Sequence, residues 1–226
     1  MSRVALVSAL VLSLFSSFAL ADEAYVPQAA PHFAQAPRDM PVNGIVAPER
    51  TLDRATVRSA LLAQRAKNLA SFRAYQKAGV FPSNTYQDKV LNVWRDDSGH
   101  LCAAATIINL AGQTELVKRV AEQNNFIKLG EVTTGPLMDW ILTSGFTQAE
   151  IAMIQKPYMP VSRRPTPIHE APVIDAQLRT AETARLAKLY QQVDAQLVKA
   201  QQTSIELAVP RLMKQPQLAW QLIDSV

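Results

Sequence analysis

From Val173 to Ala208 the chain contains neither proline nor glycine and is rich in Ala, Gln, Leu and charged residues. Such a run predicts one long helix, because its residues are good helix formers and nothing in it removes a backbone donor or loosens φ. Leu186, Tyr190, Val193, Leu197 and Ala200 recur in alternating steps of four and three, the spacing of a coiled-coil seam. The seam is short and ends in alanine, which favours packing back onto its own domain. Self-association through Leu186, Tyr190, Val193 and Leu197 is the alternative. Asp175 supports Arg179 one turn later. Pro210 is expected to end the helix, and Gln217 to Ile223 to add a brief terminal one.

Residues 51–156 predict a helical core domain. A first helix is expected from about Leu52 to Lys77, capped by Thr51 or Asp53 and closed by Gly79 in a left-handed conformation. Val57, Leu61, Leu62, Leu69, Phe72 and Tyr75 fall near one side of it, as a core-facing stripe does. Lys89 to Arg95 reads as a strand, and Asp96-Asp97-Ser98-Gly99 supplies turn residues, so a small β-hairpin is expected near residues 89–102. The alanine-rich run after Cys102 fits a buried helix ended by Gly112. Thr114 can cap a second helix, and Phe126 to Leu129 can add an edge strand. Pro136 suits the first turn of a helix that Gly145 would stop, with Leu137, Trp140 and Ile141 facing inward. Thr147-Gln148-Ala149-Glu150 is a capping box, in which hydroxyl and carboxylate satisfy each other's free amides. The expected fold class is mainly α, with the hairpin and the long C-terminal helix.

Two proline-rich stretches flank this domain. Residues 22–50 carry five prolines with no sustained period and read as an extended, flexible lead, and residues 157–172 carry five more and read as an irregular connector. Ahead of the first stretch, residues 1–21 have the order of a signal peptide: Arg3, an apolar run from Val4 to Phe15, then small residues ending in Ala19-Leu20-Ala21. Cleavage is expected between Ala21 and Asp22, leaving an unanchored periplasmic or secreted protein that meets a membrane only during export. One of the 23 Lys and Arg would leave with the leader, so the remainder carries 22 of them against 19 Asp and Glu, a net +3. That balance is too mild for a nucleic-acid partner, and the local cluster of Lys156, Arg163 and Arg164 reads as a solvated loop. A single cysteine permits no internal disulfide, so core packing must hold the fold outside the cytoplasm.

Cys102 is the strongest candidate for chemistry. A helix N-terminus and His100 two positions earlier would each favour a thiolate, and in an extended segment the imidazole could serve as its base. Against this, Leu101, Ala103, Ala104 and Ala105 surround the thiol with apolar neighbours, as around a packed structural cysteine. His100 with Asp96 and Asp97 falls short of a calcium loop, which needs oxygen ligands at further fixed positions. Turn stabilisation explains the two aspartates better. His32 and His169 sit in the proline-rich stretches. Trp94 and Trp140 could line a groove but lie in periodic apolar segments, where a core position is expected. Phosphate loops, dinucleotide fingerprints, zinc-protease and nucleophile-elbow motifs do not occur, so no cofactor or metal is expected.

The blocks Gly79-Val80-Phe81-Pro82-Ser83-Asn84, Asp97-Ser98-Gly99-His100-Leu101-Cys102-Ala103 and Asp139 to Thr147, continuing to Gln155, resemble a recurring segment of uncharacterised exported bacterial proteins. The resemblance covers about a third of the chain. It implies export and assigns no activity or functional residue. A threonine often stands there in place of His100, which speaks against a pairing of His100 with Cys102. The expected function is noncatalytic binding or scaffolding in the cell envelope, with an unknown protein or envelope component as partner. The alternative is a thiol-dependent enzyme using Cys102.

Overall fold

A computed structural model describes residues 51–162 and 173–226. The stretch expected to be a signal peptide, with its expected cleavage point between Ala21 and Asp22, the proline-rich lead with His32, and Arg163, Arg164 and His169 lie outside the described residues.

The order of elements follows the stop and start signals of the sequence. Helix α1 (Arg54–Ala78) opens at Asp53, whose carboxylate accepts the Thr56 amide at 2.9 Å, and closes at Gly79 with φ of 64°. Helices α2 (Ala103–Leu110) and α3 (Thr114–Gln123) follow, then a single 3-10 turn at Leu129–Glu131. Helix α4 (Pro136–Thr143) begins on Pro136, and α5 (Gln148–Ile154) begins on the Thr147–Glu150 capping box, both halves of which form. The chain ends in α6 (Ala176–Met213) and α7 (Pro216–Ser225). The fold is mainly α, with the long C-terminal helix present and no helix among the described residues long and apolar enough to cross a membrane.

Four local expectations need correction. The hairpin near residues 89–102 does not form as two paired strands, because the amides of its first strand are bonded elsewhere and only two backbone bonds, Cys102 to Trp94 and Asp96 to His100, cross it. Leu91 exchanges hydrogen bonds with Tyr158, the Trp94 amide donates to the Asn125 carbonyl, and the Asp96 carboxylate takes the Ser98 and His100 amides. What remains is one antiparallel bridge between Arg95 and Leu101. Phe126 to Leu129 is no strand either, and it enters the 3-10 turn. Thr114 is the first residue of α3 rather than its cap, the cap position falling on Gln113. Finally, Pro210 lies inside α6 and does not end it. Proline removes one amide, but Ile205, Ala208, Val209 and Leu212 around it are buried, and their packing carries the helix one more turn.

The two long helices, α1 and α6, pack along each other and form the spine. The seam residues Leu186, Tyr190, Val193 and Leu197 are all buried in their own domain's core, beside Phe72, Phe81, Trp94, Ile107 and Ile141. Each such burial contributes roughly 1.5 to 3 kcal/mol. A second cluster joins the start of α1 to the end of α6 and to α7 through Val57, Leu61, Ile205, Val209, Ala219 and Leu222. Between the two clusters sits one buried ion pair. The Arg65 guanidinium, 1% exposed, donates to both Glu150 oxygens at 2.7 and 3.0 Å and to the carbonyls of Gly145 and Leu197, 4.7 Å from the Phe146 ring centre. Glu150 also accepts from the Ser204 hydroxyl at 2.8 Å and the Thr147 amide at 2.8 Å. One carboxylate thereby ties α1, α5 and α6 together, and the α4–α5 link with them.

The start of the expected connector belongs to the core as well. Tyr158 and Val161 are buried, and Asn84 and Pro160 form a bridge. Tyr158 approaches the hydroxyls of Tyr75 (3.5 Å) and Tyr190 (3.2 Å). Burial, reinforced by neighbouring ionisable groups, holds the Tyr75 and Tyr158 hydroxyls well above their ordinary value, so the cluster stays neutral.

Candidate functional site

The structure gives Cys102 a structural position. It is the N-cap of α2, fully buried, with its Sγ accepting the Ala105 amide at 3.4 Å and its own amide donating to the Trp94 carbonyl. Loss of water around the sulfur pushes the thiol up to about 12, although the amides at the helix start pull the other way. In this contest desolvation wins. His100 does not reach the thiol. Its Nδ1 lies 3.1 Å from the Asp96 carboxylate, which is itself buried and takes the amides of Ser83, Ser98 and His100. Asp97 meanwhile accepts the Tyr86 hydroxyl at 2.9 Å. Both aspartates thus stabilise the loop, and among the described residues no three His, Cys, Asp or Glu side chains gather as metal ligands. Trp94 is fully buried, its indole donating to the Val117 carbonyl at 3.0 Å.

The open chemistry lies in a cleft of about 590 Å³ where α1, α4 and α7 meet, closed at one side by the end of α2. Helix α1 lends it Gln64, Lys67, Asn68 and Ser71. Helix α4 lends it Pro136, Asp139, Trp140 and Thr143. Helix α7 lends it Leu218, Gln221, Leu222 and Ser225. Each set is spaced three, one and three residues apart, so each is one continuous stripe on one helical face. Gln113 completes the rim after α2.

The floor is fixed and the rim is free. Asn68 is buried, donates from Nδ2 to the Ser144 carbonyl at 2.8 Å and accepts from Gln64 at 3.3 Å, which fastens α1 to the end of α4. Trp140 and Leu222 supply buried apolar surface beside it. Helix α7 packs on both α1 and α4. On the rim, Lys67 and Asp139 are exposed, and neither forms an ion pair among the described residues. Pockets that hold ligands commonly combine such an apolar base with a few convergent polar groups.

Of the residues weighed from sequence as candidates for chemistry, Trp140 alone lines this cleft among the described residues. The polar residues of the three stripes carry no sequence signal of a site, since singly each reads as part of an ordinary helix surface. The shared three-one-three spacing was visible, but not the convergence of three helices upon it. Comparison with known proteins found no match to this chain, whether a protein family, a curated sequence or a solved structure.

Proposed function

We propose that this is a noncatalytic binding or scaffolding protein of the bacterial cell envelope, exported by its leader to the periplasm, and that it binds through the cleft between α1, α4 and α7. The observation that carries this reading is the contrast between the two candidate sites. The thiol is enclosed and held protonated, whereas the cleft leaves charged and amide side chains facing solvent. A thiol-dependent enzyme would need Cys102 open to its substrate. Self-association through the α6 seam would require Leu186, Tyr190, Val193 and Leu197 to leave the core, whereas binding in the cleft requires no such exchange. The resemblance to exported bacterial proteins supports the compartment.

Export is tested on protein recovered from its native cell by fractionation and intact mass. The expected result is a periplasmic species that begins at Asp22. Cytosolic molecules that retain Met1 would contradict it.

A further inference from the structure

We propose that the cleft takes a short dipolar peptide, seating its carboxylate at Lys67 and its ammonium at Asp139; this rests on the reading of the cleft as the binding site. Lys67 stands on the α1 wall and Asp139 on the α4 wall, and the two do not reach ion-pair distance of each other. Some charges elsewhere on the helices are matched within the chain: Arg54 and Arg58 hold Glu206, Arg73 holds Asp194 and Arg185 holds Glu182. Others, such as the exposed Lys77, Lys188 and Lys199, stand alone among the described residues, with no opposite charge sharing a cleft with them. A cation and an anion left unmatched in one cleft complement a ligand that carries both signs.

The formal charge of the lining is zero, one cation against one anion, which disfavours a phosphate or a polyamine. In the same lining, Gln113 and Gln221 each offer an amide donor group and an amide acceptor, the complement of a peptide group, and Gln64 offers its amide oxygen. A saccharide is the poorer fit. Sugars stack on open aromatic faces, and Trp140, the aromatic residue of the lining, is only 8% exposed. The cleft volume falls within the range of about 300 to 1,000 Å³ that suits small ligands.

The test uses the full chain, labelled with nitrogen-15, and three probes: trialanine with free termini, N-acetyl-trialanine amide, and maltotriose. Trialanine is expected to shift the backbone signals of Lys67 and Asp139 and the indole signal of Trp140. Capping both ends should weaken binding about fivefold or more, as should Lys67→Glu or Asp139→Lys alone, since each removes a charge contact and installs a repulsion. The double variant Lys67→Glu with Asp139→Lys should bind free trialanine again, because a dipolar peptide can reverse its direction. Both positions are exposed, and unchanged signals from the buried core certify the fold of each variant. Equal binding of capped and free peptide, or the absence of cleft shifts with trialanine, would overturn the proposal. Maltotriose binding in the cleft more tightly than trialanine would overturn the ligand class and leave the binding reading intact.

Discussion

Glu150→Ala is expected to cost about 3 to 5 kcal/mol of folding stability, because it leaves the Arg65 guanidinium buried without its counter-charge. That is a large part of the roughly 5 to 15 kcal/mol by which ordinary domains are stable. The pair lies between the two apolar clusters, beside Phe146, Ser204 and the Leu197 carbonyl, and a water entering the vacated space would not restore the counter-charge. Arg65→Met should cost a similar amount for the converse reason. The double variant Arg65→Met with Glu150→Leu should lose clearly less than the sum of the singles, because it removes both charges and restores apolar volume. Urea unfolding of the four proteins followed by circular dichroism measures this. Strictly additive losses would show that the pair does not act as a unit.

Gly145→Ala should cost about 3 kcal/mol, well beyond what its backbone angle alone requires. With φ at 77°, any side chain there carries a strain of about 1 to 2 kcal/mol. A Cβ would in addition press on the Leu61 carbonyl oxygen and come within 2.7 Å of the Arg65 backbone nitrogen. Both belong to α1, so the link between α4 and α5 would have to lift away from that helix. Lifting it would strain the bonds from Arg65 to the Gly145 carbonyl and from Asn68 to the Ser144 carbonyl. Gly112→Ala is the control, since its φ of 81° is equally left-handed but a Cβ there meets open space. The thermal midpoint should fall much further for Gly145→Ala. Equal falls would mean that the close approach to α1 contributes nothing.

The helices were legible where local chemistry decides them. Asp53, Gly79, Pro136 and the Thr147–Glu150 box each satisfy or terminate a helix end with their own atoms, and each does so in the structure. The structure departs from the local signals where tertiary bonds override them. Residues 89–95 have strand-like side chains, yet their amides go to Asn125 and Tyr158, far along the chain. Pro210 carries a local stop signal, overridden by the apolar contacts of Val209 and Leu212 with α1 and α7. Prolines 157 and 160 suggested a solvated connector, but Tyr158 between them is a central core residue. The seam on α6 was legible as a buried stripe, and its burial in its own domain agrees with the shortness of the repeat. The cleft was illegible for a different reason. Amide and hydroxyl stripes on helix surfaces are ordinary, and only the packing of α7 against both α1 and α4 turns three of them toward one space.

The contrast between a sealed thiol and an open cleft is tested most directly by the rate at which iodoacetamide modifies Cys102 in the native protein and across a urea titration. Protection should be near complete in native buffer and be lost only along the global unfolding transition, because the sulfur is fully buried and its ionisation is held up to about 12. Prompt modification of the folded protein at neutral pH would contradict this, and would return Cys102 to the centre of the protein's chemistry.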